Sequence, residues 1–266
     1  METPKRNFLM IIDPQNDFHP GGSLGIDGAN EDSARIASYI KANPNLIDEI
    51  FITLDSHHRL HIGHGVFWQD SDGNHPSPFT LIKSNDVEEG RWVPCDSSLL
   101  EYSLYYTKAL EQRGRFVVCI WPEHCLIGTP GHAVVNELNE ALQFWTETTM
   151  KTINYVMKGQ NCMTEMYSAM QAEIPIPDDP STCVDPVLIT RLNMAEKLLI
   201  CGEAKSHCVN YTMRDIVENW KGDNANLILL ENCATSVPGF EKEGEIFVRD
   251  MKKEGCTVIN IEDLKL

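Results

Sequence analysis

Apolar and polar positions follow one another in blocks along this chain. Short apolar runs fall at 8–12, 49–53, 116–120, 154–157, 198–200, 227–230 and 257–261. They are too short for buried helices, and their unbroken apolar character predicts strands covered on both faces. Between them, apolar residues recur at helical spacing near 32–42, 97–112, 132–145, 186–193, 206–220 and 241–254. Such alternation predicts an α/β chain: a parallel sheet with helices on both faces. Sites in these sheets lie outside the carboxyl ends of the strands, so the residues that follow each run are the ones to examine.

At 266 residues the chain reads as a single domain over 1–266, with insertions around 65–95 and 171–185. The first is rich in Asp, Asn, Ser, Pro and Gly, with Trp68 and Phe79 as its anchors, and the second carries three prolines. Both read as ordered loops over the sheet. A formal charge of −17 argues against nucleic acid and anionic membrane as partners. The polar start and the apolar run closed by Asp13 read as neither an export signal nor a membrane span. With nine cysteines and no export signal, the expectation is a reduced, cytoplasmic protein.

The candidate chemistry collects after the apolar runs. Gly202 breaks the run at 198–200, and Ser206 is placed to cap a helix with Val209, Met213, Ile216 and Val217 on one face. Cys208 then falls in the first helical turn, where free backbone N–H groups favour a thiolate and can receive an oxyanion. An isolated buried cysteine is more often structural, so its neighbours decide. Asp13 ends the first run and is presented by Pro14, with a turn carboxylate as the alternative reading; Asp17 reads as a turn or cap residue. Lys158 follows the run at 154–157, where it is either a surface charge or a cation beside an anionic centre. Asp55 and His57, two residues apart on an extended segment, share one face. With His124, which follows the run at 116–120, they form a candidate metal triad. His64 is a further candidate ligand, whereas His58, His61, His75 and His132 read as surface histidines.

Five stretches in this order, IIDPQNDFHPGGSL (11–24), TLDSHH (53–58), WPEHCLIGTPG (121–131), VMKG (156–159) and ICGEAKSHCV (200–209), resemble the nicotinamidase branch of the isochorismatase-like cysteine hydrolases. The resemblance covers most of the chain apart from the two insertions. It implies a three-layer αβα fold with a mainly parallel six-stranded central sheet. It also implies a catalytic triad of Asp13, Lys158 and Cys208, and one divalent metal ion on Asp55, His57 and His124, zinc with iron or manganese as alternatives. The oxyanion hole falls on the backbone N–H groups of Ala204 and Cys208, with a cis peptide at Glu203–Ala204. Phe18 and Trp121 correspond to ring-sandwiching aromatics, and Tyr167 is a third candidate substrate contact.

The implied activity is hydrolysis of nicotinamide to nicotinate and ammonia through a thioester on Cys208, in pyridine-nucleotide salvage. The alternatives are a hydrolase of the same fold acting on another small amide or carbamoyl compound, or a non-catalytic metal-binding homologue. The expected partner is a small-molecule amide; a homo-oligomer is expected by analogy alone. The segment between Asp55-x-His57 and His124 is long for this branch, and 162–170 is only loosely similar to it, which leaves the acyl group open. The helix position and Lys158 predict a Cys208 pKa lowered towards neutrality from the usual value of about 8.5.

Overall fold

A run such as Phe8–Ile12 has apolar side chains on both faces of the strand, so it is stable only when covered twice. The computed structural model, which describes residues 6–266, does this. Six parallel strands form the central sheet: β1 (Asn7–Ile12), β2 (Glu49–Asp55), β7 (Asn154–Lys158), β8 (Lys197–Gly202), β9 (Leu227–Leu230) and β10 (Thr257–Ile259). Their spatial order is β10-β9-β8-β1-β2-β7. Phe8, Met10, Ile12, Leu198 and Ile200 face one layer, built by α5 (Pro186–Leu192), α6 (Cys208–Asn219) and α7 (Glu241–Lys253). Leu9, Ile11, Ile50, Ile52 and Leu199 face α1 (Ala29–Ala42) and α4 (Asn136–Thr149), whose Ile36, Ile40, Leu142 and Trp145 fill the opposite core. Among the described residues, no helix is long and apolar enough to cross a membrane. Five residues of the polar N-terminal stretch lie outside the described residues.

Several expectations need correction. The run at 116–120 does not join the central sheet. Only β6 (Val118–Cys119) is extended, and it pairs antiparallel with β4 (Leu81–Ile82). The segment around 65–95 is more than a loop: it also supplies β3 (Trp68–Gln69), β5 (Val93–Pro94) and α2 (Ser84–Glu88). With α3 (Leu100–Arg113) it encloses a third core of Phe67, Trp68, Ile82, Val87, Tyr106 and Leu110. Trp68 anchors this unit, its indole N–H donating to the Ile62 carbonyl at 2.8 Å. Phe79 does not; half exposed, it packs edge-on against Trp121. Ser206 does not cap α6, whose N-cap is His207; its hydroxyl accepts from the Val237 N–H instead.

The topology places the site. From β1 the chain first builds outward through β2 to β7, then crosses to β8 on the other side of β1, so the order reverses between β1 and β8. Crevices form at the carboxyl ends of strands flanking such a reversal. Ile12 is in register with Gly202, and Asp55 with Lys158. The residues after β1, β2, β7 and β8 therefore arrive at one rim. Gly202 permits the close approach of β8 to β1: its φ is +109°, and a Cβ there would fall on the Ile12 backbone. Gly202→Ala is expected to destabilise the protein by about 3 kcal/mol or more. Gly73→Ala, at φ +83° with open space around it, should lose only about 1 kcal/mol. Urea denaturation midpoints of the two variants provide the comparison.

Candidate active site

At the rim, Lys158 is the central group. Its side chain is fully buried, which corrects the surface-charge reading. The ammonium lies 2.9 Å from Asp13 Oδ2 and 3.0 Å from Asp55 Oδ1, and donates to the Met166 carbonyl at 3.1 Å and to Cys208 Sγ at 3.4 Å. Burial alone would strip its proton, but the two carboxylates overcome that and hold its pKa well above the ordinary lysine value. One buried cation thus joins three of the predicted groups to a fourth.

Asp13 is fully buried and sits at φ +43°, a sparsely populated conformation for a non-glycine residue. Thr53 on β2 fixes its carboxyl: the hydroxyl donates to Asp13 Oδ1 at 2.5 Å and accepts from the Asp13 N–H at 3.0 Å. The carboxyl is within hydrogen-bonding reach of the Cys208 thiol. Burial raises the Asp13 pKa, with Lys158 opposing. Asp17 behaves as a turn residue, accepting from the Cys125 N–H at 2.7 Å and the Ser23 N–H at 3.2 Å.

Cys208 opens α6, as the pattern predicted, yet its thiol is not lowered towards neutrality. Burial pushes it well above the ordinary value; Lys158 pulls down, while Asp13 and Asp55 push up again. Being at the first helical turn does not offset the loss of water. The Glu203–Ala204 peptide is cis. Among the described residues, the N–H groups of Ala204 and Cys208 take part in no hydrogen bond, whereas the Ala204 carbonyl accepts from the His207 and Val209 N–H groups. Two free donors therefore lie beside the sulfur, the arrangement an oxyanion requires.

Asp55, His57 and His124 form a second cluster. Their ligand atoms all lie within 4.8 Å of one another, and all three residues are buried. Asp55 Oδ2 lies 3.0 Å from His57 Nε2 and 3.3 Å from His124 Nε2. Burial alone would raise the Asp55 pKa, but His57 and Lys158 hold it well below the carboxylate range. Gln15, not anticipated from the sequence, clamps this residue from behind: it donates to the Asp55 carbonyl and accepts from the Asp55 N–H, both at 2.7 Å. His124 reaches the cluster without a sheet strand. The chain at 121–127 is tied to 57–64 by two isolated parallel bridges, His64 with Trp121 and His57 with Leu126, through the bonds Trp121 N–H to Gly63 O, His57 N–H to Cys125 O, and Ile127 N–H to His57 O.

His64 and His61 are both buried, so His61 departs from the surface reading, whereas His58 and His75 are exposed and His132 is half buried. Their hydrogen bonds separate the two buried rings. His64 Nδ1 lies 3.1 Å from the Arg59 carbonyl and so carries the hydrogen, leaving Nε2 as a buried, unpartnered lone pair. His61 Nδ1 accepts from the Gly63 N–H, so its unpartnered Nε2 carries the hydrogen. A buried O,N,N set with a further orphaned imidazole lone pair fits a divalent metal ion of the zinc, iron or manganese type. His124 Nδ1 bonded to the Pro122 carbonyl supplies the outer support such a ligand needs.

Cys208, Asp55 and His124 line one cavity together with Phe18, Trp121, Tyr167, His207, Val237 and Glu165. Trp121 donates its indole N–H to the Tyr167 hydroxyl at 3.0 Å. Phe18 meets the His124 ring at 5.5 Å. Glu165, like His207, was not singled out in the sequence; burial raises its pKa.

No family model matches the sequence, and no curated relative matches it. Solved structures do match. A nicotinamidase–pyrazinamidase from Acinetobacter baumanii is 20% identical and aligns over 99% of this chain and 100% of its own, with a TM-score of 0.66. The yeast nicotinamidase bound to the inhibitor nicotinaldehyde is 19% identical over 96% of this chain and 99% of its own, TM-score 0.66. A pyrazinamidase of Pyrococcus horikoshii in complex with zinc is 20% identical over 96% and 99%, TM-score 0.59. At this identity the likeness is one of architecture: the chain has the fold of the nicotinamidases and pyrazinamidases, the fold its sequence motifs led us to expect.

Proposed function

We propose that this chain is a metal-containing cysteine amidohydrolase of the nicotinamidase type, converting nicotinamide and water to nicotinate and ammonia in the cytoplasm. One observation carries the reading: the Cys208 sulfur, the Asp13 carboxyl and the Lys158 ammonium meet in one buried contact set beside two free backbone N–H groups. The fold shared with nicotinamidases supports it. So do the flat aromatic walls of the cavity, which suit a planar ring.

In the resting site Cys208 keeps its proton. When an amide enters, Asp13 takes that proton and the sulfur attacks the carbonyl carbon. The oxygen's new charge falls to the N–H groups of Ala204 and Cys208. Asp13 passes its proton to the amide nitrogen, the C–N bond breaks, and ammonia leaves a thioester on Cys208. Asp13 then takes a proton from water as that water attacks the thioester, and returns it to the departing sulfur, releasing the acid. Lys158 stays charged throughout and steadies each anion in turn. Asp55, His57 and His124 would hold a divalent ion, with the unpartnered His64 lone pair as a further candidate, and the ion would supply a Lewis acid for a ring nitrogen. Zinc is the ion this donor set favours. A small carbamoyl or ureido substrate is the second reading, favoured by Glu165, a buried carboxyl that lines the same cavity.

Ammonia release from nicotinamide tests the scheme: Cys208→Ala should lose activity by about 10³-fold or more, and undiminished turnover would end it. Turnover of a carbamoyl compound but not nicotinamide would select the second reading. Metal analysis of the purified protein should find one divalent ion per chain, reduced to background in His57→Ala and in His124→Ala. Lys158→Met should lower stability by about 3–5 kcal/mol, because it leaves two buried carboxylates without their cation. Finally, since burial raises the thiol pKa, iodoacetamide should alkylate Cys208 slowly at pH 7. Its rate should keep climbing above pH 8.5, where an ordinary thiol is already half ionised; a rate that levels off near pH 7 would contradict this.

A further inference from the structure

Beneath the oxyanion-hole peptide lie two buried carboxyls for which the reaction has no use. Glu203, the residue before Ala204, is 1% exposed, and Asp32 on α1 is 3% exposed. Their side chains are within hydrogen-bonding reach of each other. Thr235, after β9, ties them together. Its N–H donates to Glu203 Oε2 at 3.3 Å, its hydroxyl to Asp32 Oδ2 at 2.6 Å, and its carbonyl accepts from the Lys205 N–H at 2.8 Å. Glu203 and Lys205, the two neighbours of Ala204, are thus fastened to one residue. The Glu203 N–H donates to the Ile12 carbonyl at 2.8 Å.

We propose that Glu203 is a positioning residue: through Asp32 and Thr235 it holds the backbone at 203–205 so that the Ala204 N–H faces the oxygen of a bound amide. This rests on the amidase reading above. A nonpolar side chain would fill the space but would leave the Thr235 N–H without its acceptor and remove the Glu203 contact from Asp32. Glu203 serves both only when it keeps its proton. As an acid it donates to Asp32, whereas as an anion it would face a second anion, and its Oε1 meets no donor among the described residues. Burial, and then Asp32, push its pKa well above the carboxylate range. The groups facing the pair are Arg35, bonded to Asp32 Oδ1 at 3.1 Å, Lys205, His19 beside Asp32, Cys201 on β8, and Cys233. Neither Arg35 nor Lys205 offsets the burial of Glu203.

The test compares full-length wild type, Glu203→Ala, Glu203→Gln and Thr235→Val in kcat and KM for nicotinamide, inhibition by nicotinaldehyde, and iodoacetamide alkylation of Cys208. Glu203→Ala should lose kcat by about 10–100-fold, less than deletion of an oxyanion donor outright, with KM nearly unchanged. Nicotinaldehyde, whose adduct with a thiol carries a tetrahedral oxygen, should weaken by a similar factor, while alkylation, which uses no oxyanion hole, keeps its rate. Glu203→Gln, whose amide can donate to Asp32 and accept from Thr235, should stay within about threefold of wild type. It should also retain kcat at alkaline pH, where wild type loses the Glu203 proton. Wild-type kcat and nicotinaldehyde affinity in Glu203→Ala would overturn the proposal. Alkylation falling in step with kcat would do so too, since that marks general loosening. Should Glu203→Ala not fold, Thr235→Val takes its place, with the same pattern expected at about 3–10-fold. Wild type that releases no ammonia sinks the amidase reading instead, and the tether is then judged by the nicotinaldehyde adduct and alkylation alone.

Discussion

The structure depends on one buried positive charge shared between two buried carboxylates. An ammonium removed from water loses several kcal/mol of hydration, recovered only when anions surround it at contact distance. Lys158 has Asp13 at 2.9 Å and Asp55 at 3.0 Å. The balance remains short by one positive charge, since two carboxylates face one ammonium. Burial biases both Asp13 and Cys208 towards keeping their protons, and the neighbouring carboxylates add to it against the pull of Lys158. The deficit explains why Asp55 is surrounded by imidazoles: a further positive charge next to that carboxylate, carried by a metal ion or by protonated His57, closes the balance. Thr53, Gln15 and Gly159 serve the same end. Thr53 and Gln15 lock the two carboxylates, and at Gly159 a Cβ would press on Asp55 Oδ1 and the His57 ring.

The sheet makes this charge cluster affordable by distributing its parts. Asp13 follows β1 and Asp55 closes β2, strands whose apolar side chains are buried against two packed layers, whereas Lys158 closes the edge strand β7, where Tyr155 and Met157 are exposed. The register Ile12 with Gly202 and Asp55 with Lys158 leaves little freedom in how the groups meet. A strand slipped by one residue would turn Lys158 to the opposite face.

Much of this was legible from the chain alone, and for a stated reason. Asp13, Asp55, Lys158 and Cys208 each follow an apolar run, and a parallel sheet delivers such positions to one edge. What could not be read was depth. Nothing local to His61 distinguishes it from His58 three residues earlier, yet one is buried against His57 and the other is exposed. Gln15 and Thr53 are polar residues in strands and turns, unremarkable until the register pairs them with a carboxylate. The run at 116–120 has strand composition but finds its partner in β4, because the central sheet already ends at β7. Glu203 lies inside a recognised motif, but its partners Asp32 and Thr235 are far away in sequence.

Two effects of different size act on the Cys208 thiol. A helix N-terminus stabilises an anion by about 0.3–1 kcal/mol, rising to about 2 kcal/mol in the best partly buried geometries. Removing a charge from water costs several kcal/mol. With Cys208 as buried as it is, the dipole cannot win, and Lys158 is already committed to two carboxylates. The N–H groups of α6 and of Ala204 therefore matter little to the resting sulfur. They matter where charge appears only during reaction, on the oxygen of the attacked amide. The same loss of water that keeps the thiol protonated makes those two hydrogen bonds strong when that oxygen turns negative.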